Sequence, residues 1–122
     1  MNERRRQRST FTSEALNLQL DACCRDGEIE AMVISDDEGL TLAACGDLAA
    51  CEEIAAHTAH VGRRVAEFSG TLLGQGQHWD VQMKRIHVEG GELLVCAVGG
   101  TSAMRQRQVE RSASGARRIL QA

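Results

Sequence analysis

Apolar residues recur along this chain with two periods, and the switches between them predict the order of its elements. Leu16, Leu20, Cys23 and Cys24 fall at helical spacing and make one stripe. Thr12 or Ser13 can cap that helix, with Glu14 well placed for its dipole, and Gly27 is a natural stop. The next run, about Glu30–Ser35, is apolar on both alternating faces: Ala31 and Val33 on one, Met32 and Ile34 on the other. A strand covered on both sides reads this way. Asp36-Asp37-Glu38-Gly39 comes next, and a second apolar run spans about Leu40–Cys45. An acidic cluster ending in Gly between β-prone runs predicts a hairpin, because Gly takes positive φ without steric cost and Asp tolerates it.

Gly46 breaks the second strand, and Asp47 can cap a helix expected over about Leu48–Gly70. Cys51, Ile54, Thr58, Val61, Val65, Phe68 and Leu72 give it a 3-4-3-4 seam, beside a stripe of small residues at Ala55, Ala59, Gly62 and Ala66. The small stripe suits close contact with a second helix, since Gly inside a helix costs about 1 kcal/mol relative to Ala. The plainer alternative is that both stripes face the home sheet. Gly70–Gln77 reads as a Gly-rich loop without the Lys-Ser/Thr of a phosphate loop. From His78 on the chain is strand-like. Trp79, Val81 and Met83 share one face, whereas Ile86 and Val88 continue in the opposite phase, so a bulge or break is expected at Lys84-Arg85. Gly90-Gly91 turns the chain into Leu93–Val98, an unbroken apolar run. Thr101 or Ser102 caps a last helix, about Ala103–Leu120, with Val109, Ala113, Ala116, Ile119 and Leu120 carrying most of its apolar face.

The resulting order is α-β-β-α-β-(β)-β-α, an α+β domain. An antiparallel sheet of four to five strands would lie with helices on both faces. Its 122 residues suffice for one core, expected over 11–122 behind a polar, aperiodic segment at 1–10 that reads as a disordered basic arm. No apolar run approaches the roughly 20 residues of a membrane span, and the N-terminus lacks the apolar core of a secretory signal, so a cytoplasmic location is expected. Five cysteines without a Cys-x-x-Cys pair read as reduced core residues.

The net charge of −3 hides an asymmetry. Residues 1–8 carry four Arg against Glu3, and 105–118 carry Arg105, Arg107, Arg111, Arg117 and Arg118 against Glu110; only 5 basic but 15 acidic residues lie elsewhere. The ends are solvated faces or a basic patch for an acidic partner or membrane surface. With Phe11, Phe68 and Trp79 the only aromatics, specific nucleic-acid binding by base stacking is not expected.

Candidate chemistry is sparse. His57 and His60 are three apart on the long helix, but a third metal ligand is missing: Glu53 or Glu67 would have to serve, and Arg64 would repel the ion. Asp36, Asp37 and Glu38 lack the spacing of a calcium loop. No Ser is set in a recognisable triad motif. The sequence therefore predicts no enzyme, no metal and no cofactor.

The hairpin Asp36-Asp37-Glu38-Gly39 with Leu40-Thr41-Leu42-Ala43 and Gly46-Asp47, the long second helix and the late strand Leu93–Val98 together resemble a Roadblock domain. The resemblance covers about residues 13–121 and implies a profilin- or longin-like topology. It implies a homodimer in which second helices pair and edge strands join into one sheet. It also implies partnership with a Ras-like small GTPase, for which bacterial relatives of the motility and polarity type act as activators or co-regulators. Because residues 78–89 are too few for two strands and a turn, the subunit-joining strand is expected to be shortened or merged. Ala55, Ala59, Gly62, Ala66, Trp79 and Val81 are the expected dimer interface, and Glu53, His57, His60, Arg64 and Glu67 the expected partner surface. The alternative is a structural scaffold subunit without a GTPase, docking through its Arg-rich ends.

Overall fold

The computed structural model describes residues 2–74 and 76–121, with side chains from Thr12 onward except at 74 and 77. Eight elements succeed one another: α1 (Asn2–Gly27), β1 (Ala31–Asp36), β2 (Thr41–Cys45), α2 (Leu48–Gly62), β3 (Glu67–Gly74), β4 (Gln77–Val88), β5 (Gly91–Val98) and α3 (Ser102–Gln121). The strands form one antiparallel sheet in the order β2-β1-β5-β4-β3. The helical backbone of α1 takes in residues 2–10, the segment expected as an arm.

Two cores flank the sheet. Leu16, Leu20 and Cys23 of α1 and Val109, Ala113 and Ala116 of α3 pack on Met32, Ile34, Val95 and Ala97. On the other face Cys51, Ile54, Ala55 and Ala59 of α2 pack on Ala31, Val33, Cys96 and Val98. Both faces of β1 and β5 are therefore covered, as their doubly apolar sequences require. The acidic turn is structural. Asp36 Oδ1 accepts from the N–H groups of Glu38 and Leu40, each at 2.9 Å. Asp47 Oδ1 caps α2 by accepting from Ala50 N at 3.2 Å.

Three expectations are corrected. First, α2 stops at Gly62, eight residues early, and residues 67–74 of the expected helix and loop form strand β3. The described residues thus form three strands after α2, where a shortened or merged strand was expected. Second, β4 is one strand in unbroken register with β5, from Val81 opposite Val98 to Val88 opposite Gly91. Trp79, Val81 and Met83 face the α2 core, and Ile86 and Val88 the α1–α3 core. The apparent phase slip marks where cover passes from one face to the other. Third, Cys24 of α1 is joined by a disulfide to Cys45 of β2, leaving Cys23, Cys51 and Cys96 free and buried.

The free thiols are inert. Burial pushes Cys51 up to about 11 and Cys96 up to about 12. Protein prepared without reductant is expected to take up three alkyl groups when unfolded, and five after reduction. Cys51 and Cys96 should stay unlabelled in the native state at pH 8, by intact-mass measurement. Uptake of five without reduction would show that the disulfide is absent in solution.

Candidate functional site

α2 alone covers its face of the five-stranded sheet, so part of that face and one sheet edge stay open. At the covered edge, the Asn17 side chain of α1 accepts from the outward Ala44 N–H of β2 at 3.0 Å, and the Cys24–Cys45 bond ties the same helix to the same strand. Strand β3 forms the other edge. Arg85 N donates to Ala66 O at 2.7 Å, which fixes the alternation of the β3–β4 ladder. Phe68, Gly70 and Leu72 turn their backbone groups toward β4, and Ser69, Thr71 and Leu73 turn theirs outward. Side chains alternate separately: Phe68 and Leu72, half-buried, face the α2 side, whereas Leu73 is 65% exposed on the other.

The α2 helix ends beside this edge. Its last turn is held by Arg85, whose Nη1 donates to Gly62 O at 2.8 Å, with Glu92 Oε2 3.7 Å from Arg85 Nε. A guanidinium at a helix C-terminus also complements the dipole. His60, Val61, Arg63 and Arg64 line a shallow depression of about 480 Å³ there. The charge along the exposed arc of α2 is ordered: Asp47, Glu52 and Glu53 at the start and Arg63 and Arg64 at the end, with His57 and His60 between them.

The expected site residues separate into those the surface offers and those it does not. Ala55, Ala59 and Gly62 face the home sheet, and a Cβ at Gly62 would meet the Leu94 side chain at 2.6 Å. Val81 and Trp79 are buried beneath the same helix. Those five are core, which corrects their reading as an interface. The plainer alternative for the small stripe is the correct one. Ala66 is exposed, but in the link between α2 and β3. Of the expected partner strip, Glu53, His57 and His60 share the open arc of α2, with Glu53 Oε1 3.8 Å from His57 Nε2. Arg64 comes just after the helix, and Glu67 begins β3, 3.9 Å from Lys84 Nζ. One continuous helical strip is therefore not formed. The open residues of β3 were missed because their segment was read as helix and loop. Among the described residues, no group of three or more His, Cys, Asp and Glu is placed to hold a metal, and no helix is long and apolar enough to cross a membrane.

Three helices on a five-stranded antiparallel sheet, with α2 alone on one face, define the Roadblock-domain fold. Among solved structures, the chain is similar to an MglB with a tetrameric arrangement, at a TM-score of 0.70 and 17% identity over 90% of each chain. It is also similar to Myxococcus xanthus MglB (TM-score 0.67, 13% identity, 89% of this chain and 90% of that one). A third likeness is to the Roadblock/LC7 domain from Streptomyces avermitilis (TM-score 0.60, 13% identity, 87% and 98%). No protein-family model and no curated protein sequence matches the chain.

Proposed function

We propose that this chain is a homodimeric, non-enzymatic regulator that binds a Ras-like small GTPase and tunes its nucleotide cycle. The observation that carries the proposal is the asymmetry of the sheet. One edge is closed by Asn17, and the other, β3, is open beside an uncovered flank of α2. A second copy suits that surface. A two-fold axis would add β3 to β3 and set two α2 helices antiparallel. Glu52 at the acidic start of each α2 then faces Arg63 at the basic end of the other. The fold shared with MglB, one solved example of which is described as a gliding protein from Thermus thermophilus at 15% identity, supports a regulator of this type.

The exposed arc of α2 at Glu53, His57 and His60 is the proposed GTPase contact. No arginine here is assigned as a catalytic finger. Small GTPases from the same genome, loaded with GDP or a GTP analogue, are to be passed over immobilised full-length protein. At least one should bind with a preference for one nucleotide state, and His57→Glu should weaken it. Absence of binding to every candidate in both states sinks the proposal.

A further inference from the structure

α1 holds β2 at two points, Asn17 and Cys24, which lie about two turns apart on one face of the helix. Asn17 Oδ1 accepts from Ala44 N at 3.0 Å, and Cys24 is bonded to Cys45. Among the described residues, the other side-chain bonds of α1 to the rest of the fold go to α3. Arg111 Nη1 donates to Asp26 Oδ2 at 2.8 Å, and Gln19 Nε2 donates to Arg111 O at 3.3 Å. Cutting the bond to Cys45 therefore leaves the two helices joined and loosens one strand from them. That strand is weakly held on its other side. β2 is five residues long, pairs with β1 alone and shifts register between Ile34 and Ser35, which leaves Leu42 without an opposite residue. Leu40 and Leu42 are 65% and 36% exposed. A short edge strand with outward leucines invites strand addition unless something covers it.

The Cys24–Cys45 pair is chemically isolated within the chain. Cys51 and Cys96 are buried on the opposite face of the sheet. Cys23 is next to Cys24 in sequence, but it is turned into the core, and burial raises its thiol above the ordinary range. No third thiol of the protein is thus placed to attack the bond, and its opening is left to an external reductant. Cys24 is partly exposed, whereas Cys45 is buried, so an incoming thiolate meets the Cys24 sulfur first. Attack there forms a mixed disulfide and expels Cys45 as a thiolate, which takes up a proton. The second thiol of a dithiol reductant then displaces Cys24 and closes the reductant's own disulfide. Two electrons and two protons pass to the protein, and the dithiol is oxidised.

We propose that the Cys24–Cys45 pair is a redox latch on the β2 edge. As a disulfide it keeps α1 fastened over the strand. As two thiols it leaves β2 to Asn17 and to packing, and the edge opens while the rest of the sheet stays folded. The test is amide hydrogen exchange of the full chain with and without dithiothreitol. In the oxidised protein the amides of Ala43, Ala44 and Cys45 should exchange within about tenfold of the central Val95 amide. Reduction should widen that gap to about a hundredfold, because a cross-link with a sequence separation of 21 no longer opposes local departure of the strand. Cys24→Ser should exchange like the reduced protein without any reductant, and both forms should keep the wild-type circular dichroism. An equal acceleration at β2 and at Val95 overturns the proposal, since the bond would then staple the whole fold and not the edge. So does a gap that reduction leaves unchanged, or a response of Cys24→Ser to dithiothreitol. The measurement follows β2 in the absence of any GTPase, so its result stands apart from the test of the regulator reading.

Discussion

Gly46→Ala is expected to destabilise the protein by about 3 kcal/mol, the sum of two costs. Gly46 links β2 to the cap of α2 at φ +96, a conformation that an L side chain adopts at a cost of about 1–2 kcal/mol. A Cβ there would also meet Glu30 O at 2.6 Å and the Ala31 Cβ at 2.9 Å. Backbone cannot rotate away as a flexible side chain can, so the collision shifts β1 or unseats Asp47 from α2. For a chain of this length the loss amounts to a fall of about 12 °C in Tm. Gly90→Ala provides the comparison. Its φ is +98, yet nothing lies within 4 Å of the added Cβ, so it carries the conformational cost alone. Thermal unfolding of the two variants separates the terms, and equal losses would refute the account of the collision.

The second large effect concerns assembly. Thr71→Pro is expected to raise the dissociation constant of the proposed dimer about a hundredfold. The Thr71 N–H points away from β4, so proline removes an outward donor and leaves the β3–β4 ladder paired. Two-fold symmetry applies each substitution twice, and a lost hydrogen bond with its steric obstruction costs about 1.4 kcal/mol per copy. Thr71→Val is the control. It keeps the N–H and removes only the hydroxyl bond to Asp80 Oδ1 at 3.1 Å. Sedimentation velocity over a dilution series should show a monomer for the proline variant at concentrations where the valine variant is a dimer. If both dissociate alike, β3 is not the joining edge.

The β1–β2 hairpin, the two-sided β1 and β5, the caps of α2 and α3 at Asp47 and Thr101 and the element order were legible because each rests on local chemistry, whereas Thr12 and Ser13, expected to cap the first helix, lie inside α1. The Asp36 carboxylate makes its own turn, and Val33 and Ile34 must both be covered wherever the strand lies. The end of α2 was not legible, for a geometric reason. Phe68 and Leu72 are four apart, and four is both a helical turn and an even number. Residues at that spacing share a face in a helix and in a strand alike. Gly70 between them was the usable signal, since it lies under the Phe68 ring, where a Cβ would come within 3.0 Å. The candidate site moved with that boundary. Gly62 was recognised as a close-packing position, but its close neighbour is Leu94 of the same chain.

Asn17 looks like a minor detail, one side-chain oxygen on one backbone N–H of β2. Its consequence lies in counting. A sheet with two open edges adds copies without limit and grows into a fibre, whereas a sheet with one can add a single partner, after which no edge is left. By occupying Ala44, Asn17 would let strand pairing in the proposed dimer terminate at two.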